Sequence, residues 1–189
     1  MSEFMPHLYR FGVGSPHRAQ CVRGCKNCHV AAEVGAVGAH RYAWCMPVFI
    51  CPGCGRRTSG DRHHGHQPRG CASCGFGFLF ELLDDYYPSP KTALVVCSGD
   101  RKILAAGHAA AAVTGYHERD LLGHDVVQRL ELRFSQDDPS ERSLEWGVRV
   151  MGVDCTFRPK GMEDDRPATA DFFPAYDGDG GLLVAITPK

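Results

Sequence analysis

The sequence predicts an α+β protein: a small cysteine-clamped module followed by a five-stranded antiparallel sheet with short helices on one face. Three observations predict it. Eight of the ten cysteines fall between Cys21 and Cys74, and four of them repeat one short spacing. After residue 90, short apolar runs alternate with turn signals and with small-residue, helix-prone stretches. Between these regions, Tyr86-Tyr87-Pro88-Ser89-Pro90 carries prolines at a spacing that stops a helix. The expected organisation is an irregular Gly/Ala-rich extension over 1–45, the clamped module over 46–80, a linker helix and Pro-rich turn over 81–90, and the sheet over 91–189.

In chain order, Ala31 to Ala39 reads as a weak helix or a linker. From Met46 the character changes. Val48 to Cys51 predicts a short strand entering a tight turn, and GCASCGFGFLFELL repeats the turn before a strand that passes into a helix around Leu79 to Asp85. Ala93 to Cys97 and Lys102 to Ala106 are strands about the turn Ser98-Gly99-Asp100. His108 to Thr114 and Glu118 to Leu122 are helical, closed by Gly115 and Gly123. Leu121 and Leu122 are expected to pack the second helix on the sheet. Leu144 to Arg158, anchored by Trp146, and Ala168 to Ala175 are the longer strands. Phe172, Phe173 and Tyr176 are expected in sheet and core. The turn Asp177 to Gly181 leads to a closing strand, Leu182 to Thr187.

The composition, 43% hydrophobic and 23% charged over 189 residues, argues against global disorder. No apolar run reaches the length of a membrane span, and the first residues hold no hydrophobic stretch of the signal-peptide kind. A soluble, cytoplasmic protein without membrane partners is expected. Residues 1–80 hold nine Lys/Arg against three Asp/Glu, and the remainder twelve against nineteen. The early part therefore favours an anionic partner and the later part disfavours nucleic acid.

Cys51-x2-Cys54 and Cys71-x2-Cys74 are separated by sixteen residues. Two residues between thiolates let one tight turn present both sulfurs to a metal, and Gly55 and Gly75 permit the conformation such a turn needs. Four thiolates complete a tetrahedron, so the spacing predicts a structural Zn2+ site, a zinc ribbon. An iron site of the rubredoxin type would use the same ligands. The loop between the pairs holds Arg56, Arg57, Arg62, His63, His64, His66 and Arg69. These residues are the expected partner-binding surface, set against a plain solvated loop tip.

Cys21, Cys25, Cys28, His29 and Cys45 form a second candidate metal set, with His40 as a further donor. CKNCH also matches c-type haem attachment, and Cys-x3-Cys-x2-Cys an iron–sulfur spacing. Set against these stands a reading in which Met46 is the initiator and 1–45 an extension without selected function.

The segment LVVCSGDRKILAAGHAAAAVTGYHERDLLGHDV, with its strand, Gly-Asp turn, second strand and small-residue helix ending in Thr114-Gly115-Tyr116, resembles the opening of a PAS sensor domain. The later strands and turn fit too, so the resemblance covers about 91–189. It implies a pocket between helices and sheet that holds a ligand of unknown identity or only core side chains, and homodimerisation through this domain. The chain departs from photosensing relatives by lacking their Asn-Cys-Arg-Phe motif, and His108 stands where Asn is usual. His108, His117 and His124 are weighed as haem ligands against cap and surface roles. Cys97 and Cys155 are expected to be buried, inert thiols.

No nucleophile with a paired base, open metal site or phosphate-cradling loop is recognisable, so no catalysis is expected. The expected function is a signalling or transcription-regulatory adaptor, with the ribbon docking a protein partner, the transcription machinery among the candidates. A nucleic-acid-binding regulator and a haem or thiol redox sensor are the alternatives.

Overall fold

The computed structural model describes residues 48–59, 70–77, 79–82, 86–175 and 180–189, with the strand backbones at 28–29 and 44–45. The chain divides into two units, Met1–Cys45 and Met46–Lys189. In the first, β1 (Cys28–His29) pairs antiparallel with β2 (Trp44–Cys45).

The second unit contains two sheets. The smaller one has the order β4-β3-β5, from β3 (Val48–Ile50), β4 (Arg57–Ser59) and β5 (Phe80–Leu82). The larger one is built from β6 (Ala93–Ser98), β7 (Ile103–Ala106), β8 (Arg133–Phe134), β9 (Val150–Phe157), β10 (Arg166–Pro174) and β11 (Gly181–Pro188). Its order is β7-β6-β11-β10-β9-β8, with every neighbouring pair antiparallel. The five expected strands are all present, and the two-residue β8 adds a sixth at the edge. Four short helices, α1 (Ala110–Thr114), α2 (Glu118–Leu121), α3 (Val126–Arg129) and α4 (Pro139–Trp146), lie between β7 and β9 in the chain. This strand order, with its helices inserted after the second strand, is PAS-like.

Successive strand residues point to opposite faces, and here both faces are dry. On the helix side, Val95, Cys97, Phe172, Val184 and Phe157 pack with Leu121, Val126 and Leu130. On the other side, Leu94, Val96, Phe173, Leu183 and Ala185 pack with Ile50, Phe80 and Leu82 of the small sheet. The small sheet therefore covers one face of the large one, and the two share a core. Each large apolar side chain so buried contributes roughly 1.5–3 kcal/mol. The free edge at β7 is blunted by the segment after α2: Gly123 N–H donates to Ile103 O at 2.8 Å, and Ile103 N–H donates to His124 O at 2.9 Å.

The structure corrects several expectations. Phe80–Leu82 is a strand, not the start of a helix, because pairing with Val48–Ile50 buries Phe80 and Leu82 against the large sheet; residues 83–85 lie outside the described residues. Leu144 to Trp146 closes helix α4, and the strand begins only at Val150. Asp138 caps that helix by accepting from Ser140 N–H, Pro139 fills its first turn, and Gly147 ends it at φ 61°. Trp146 is thus an exposed helix-end residue and anchors no strand. Leu121 is buried, but Leu122 faces solvent. Phe172 and Phe173 are fully buried as expected, whereas Tyr176 and most of the turn after it lie outside the described residues.

Candidate metal centre

Two copies of one turn build the site. In the first, Cys51 N–H donates to Arg56 O at 2.9 Å and Gly55 N–H to Cys51 O at 2.8 Å. In the second, Cys71 N–H donates to Phe76 O at 2.8 Å and Gly75 N–H to Cys71 O at 2.9 Å. Gly55 and Gly75 adopt φ values of 71° and 74°, the left-handed conformation that a side chain would resist. The turns face each other. Sγ of Cys51 lies 3.5 Å from Sγ of Cys74, Sγ of Cys54 lies 3.7 Å from Sγ of Cys71, and all four sulfurs fall within 4.8 Å of one another.

These spacings fit a metal. A tetrahedron with zinc–sulfur bonds of about 2.3 Å has edges of about 3.8 Å. The donor set is entirely thiolate, which suits zinc or iron rather than a hard cation. The local electrostatics run the same way. The backbone N–H groups of Cys74 and Ser73 pull the Cys71 thiol down to about 6, while burial pushes Cys51 up to about 12. Four adjacent thiols cannot all ionise without a cation to neutralise them. Burial is graded: Cys51 and Cys71 are buried, Cys54 is half-buried, and Cys74 is exposed.

The first turn is keyed into the large sheet. His108 N–H donates to Pro52 O at 2.7 Å, and the His108 ring lies 3.4 Å from where a side chain on Gly55 would begin. His108 Nε2 also lies 3.2 Å from Pro90 O. A second anchor is Tyr86, whose ring meets Phe173 edge-on at 4.8 Å. Its hydroxyl donates to Asp171 Oδ2 at 2.8 Å, and Asp171 Oδ1 accepts from Gly152 N–H at 2.7 Å in the bulge of β9. Pro52, Gly107, Tyr86 and Asp171 were not singled out by sequence reasoning. The available signal was the run Ala93 to Cys97, apolar at every position and hence covered on both faces.

Of the expected partner surface, Arg56 and Arg57 are described. Arg56 donates to Ser73 Oγ, and the Arg57 guanidinium sits 3.7 Å above the Tyr87 ring. Arg62, His63, His64, His66 and Arg69 lie outside the described residues, as do Cys21, Cys25 and His40. For Cys28, His29 and Cys45 only the strand backbone is described. Cys97 and Cys155 are buried in the large sheet; burial raises both thiols, Cys155 to about 11. A surface groove of about 300 Å³ lies beside α4, lined by Phe134, Gln136, Asp137, Arg142 and Asp154 among others.

No protein-family model matches the chain, and no curated protein matches it. Solved structures similar to it include PAS domains. One is the PAS domain of nitrogen regulation protein NR(II) from Vibrio parahaemolyticus, 18% identical, covering 52% of this chain and 89% of that one, with a TM-score of 0.44. The PAS domain of an HTR-like protein from Haloarcula marismortui is 13% identical, covers 52% of this chain and 81% of that one, and has a TM-score of 0.42. The E. coli DhaR(N)-DhaL complex is 13% identical over 54% of this chain and 33% of that one, at a TM-score of 0.40. Strand order and helix placement, rather than these distant likenesses, make the fold PAS-like. Among the described residues, no helix is long and apolar enough to cross a membrane.

Proposed function

We propose that the protein is a non-catalytic signalling or transcription-regulatory adaptor, in which Zn2+ held by Cys51, Cys54, Cys71 and Cys74 shapes a ribbon for docking a protein partner. The observation that carries this reading is the shared core between the ribbon and the outer face of the PAS-like sheet. A ribbon fused in this way reports on, and is held by, the sheet beneath it. A metal enclosed by four thiolates has no position for substrate, which supports a structural role. The space between helices and sheet is filled by Phe157, Phe172, Leu121 and Leu130, all fully buried. That packing favours core side chains over a resident ligand and shifts the functional weight to surfaces. The outer sheet face is already covered, so homodimerisation would use an edge or the helical side.

The alternatives fare less well. Arg56 and Arg57 are engaged by Ser73 and Tyr87, which draws them away from phosphate contacts. The raised, buried thiols of Cys97 and Cys155 are poor redox sensors. The test is binding of full-length protein to two probes, purified RNA polymerase and a random-sequence DNA duplex. The adaptor reading expects saturable binding to the polymerase with duplex binding weak at 150 mM salt. Duplex binding that is tight and falls steeply with salt, with none to polymerase, would replace it by the nucleic-acid reading.

A further inference from the structure

We infer that Cys21, Cys25, Cys28 and Cys45 form a second four-thiolate zinc site, separate from the ribbon. Cys25, Cys28 and Cys45 repeat the pattern of Cys51, Cys54 and Cys71: each pair of equivalent positions differs by 26 residues, so Cys-x2-Cys is again followed by sixteen residues and a cysteine. The fourth equivalent position is Val48, a buried strand residue that cannot bind metal. One ligand must therefore come from elsewhere.

The backbone register points to which. In the β1–β2 pair, Cys28 stands directly opposite Cys45, and His29 opposite Trp44. Directly opposed residues share a face of an antiparallel pair, and adjacent residues take opposite faces. Cys28 and Cys45 therefore share one face, while His29 belongs to the other. The remaining thiol in the cluster is Cys21, three residues before Cys25 in Cys-x3-Cys-x2-Cys. A unit as short as Met1–Cys45 also lies near the size at which domains usually need a metal or disulfides to fold.

The test is native mass spectrometry of the full-length chain, purified with a thiol reductant. The expected counts are two zinc ions in the wild type, one in C28S/C45S, and two in H29Q. A single zinc in the wild type, or two in C28S/C45S, overturns the site; loss of a zinc in H29Q overturns the choice of Cys21 over His29. Alkylation mapping gives an independent readout that needs no variant to fold. Cys21, Cys25, Cys28 and Cys45 should resist N-ethylmaleimide together and become reactive together on adding a chelator. Free alkylation of Cys28 and Cys45, or their recovery as a disulfide in protein isolated without reductant, contradicts the proposal. The zinc retained in C28S/C45S reports on the ribbon alone, so failure of either site is distinguishable from failure of the other.

Discussion

At Gly107 the chain has no room for a side chain. A Cβ there would lie 2.1 Å from Pro52 O and 3.1 Å from Leu94 O, both backbone atoms that cannot step aside. G107A should cost about 3 kcal/mol by urea titration, because the turn carrying Cys51 and Cys54 must lift from the sheet. G99A, where nothing lies within 4 Å, should stay within about 0.5 kcal/mol and serves as the control. Tyr86 is the other pin. Y86F leaves Asp171, a buried carboxylate, with one fewer donor; the expected loss is about 1–2 kcal/mol, read from the same titration. Cys155 yields a pH prediction. Burial raises its thiol from an ordinary value near 9 to about 11, so the folded state keeps a proton that the unfolded chain releases. The unfolded state then binds fewer protons, and this contribution is full below pH 9 and is lost as pH rises towards 11. In C155V the fall in urea midpoint between pH 8.5 and 10.5 should be shallower than in the wild type. An identical slope would remove Cys155 as a cause.

Among the elements, the β6–β7 turn and the starts of α3 and α4 are tied by one side chain. Arg101 meets Asp125 at 3.2 Å, Asp138 at 2.8 Å and Glu141 at 3.1 Å, and the first two carboxylates cap α3 and α4. Arg101 does this from a left-handed φ of 64°. Loss of the clamp and relief of the backbone are separable: R101A should lose about 1–2 kcal/mol, and R101G about 1 kcal/mol less than that, by chemical denaturation. Equal losses would mean that the backbone stores no strain there. Elements whose signals are local were legible in the sequence. The paired Cys-x2-Cys turns, the β6–β7 hairpin and the helix stop at Gly115 each depend on residues within a few positions. Elements decided by distant partners were not. Phe80–Leu82 is apolar enough for helix or strand, and only its pairing with β3 settles the matter. Helix α4 was readable in principle from Asp138-Pro139 and Gly147, but the apolar positions Leu144, Trp146 and Val148 gave the segment a strand-like alternation.

For the molecule as a whole, the metal and the PAS-like sheet belong to one cooperative body. The four cysteines were readable as a closed site from spacing alone, but not the covering of a sheet face by the module they clamp. That follows from both residue parities of β6 and β11 being buried. Stripping the metal should therefore be felt beyond the ribbon. The amide of His108, held by Pro52 O at 2.7 Å, should lose hydrogen-exchange protection at least tenfold on chelation. Amides of β9 and β10 that pair with each other should change less. Everything in this account depends on the identity of the ribbon's occupant and its ligands. Zinc-edge X-ray absorption of the C28S/C45S protein tests this most directly. The account predicts one zinc per chain with a shell of four sulfurs at about 2.3 Å. A nitrogen or oxygen shell, or protein isolated without metal and with all four thiols reduced, would contradict it.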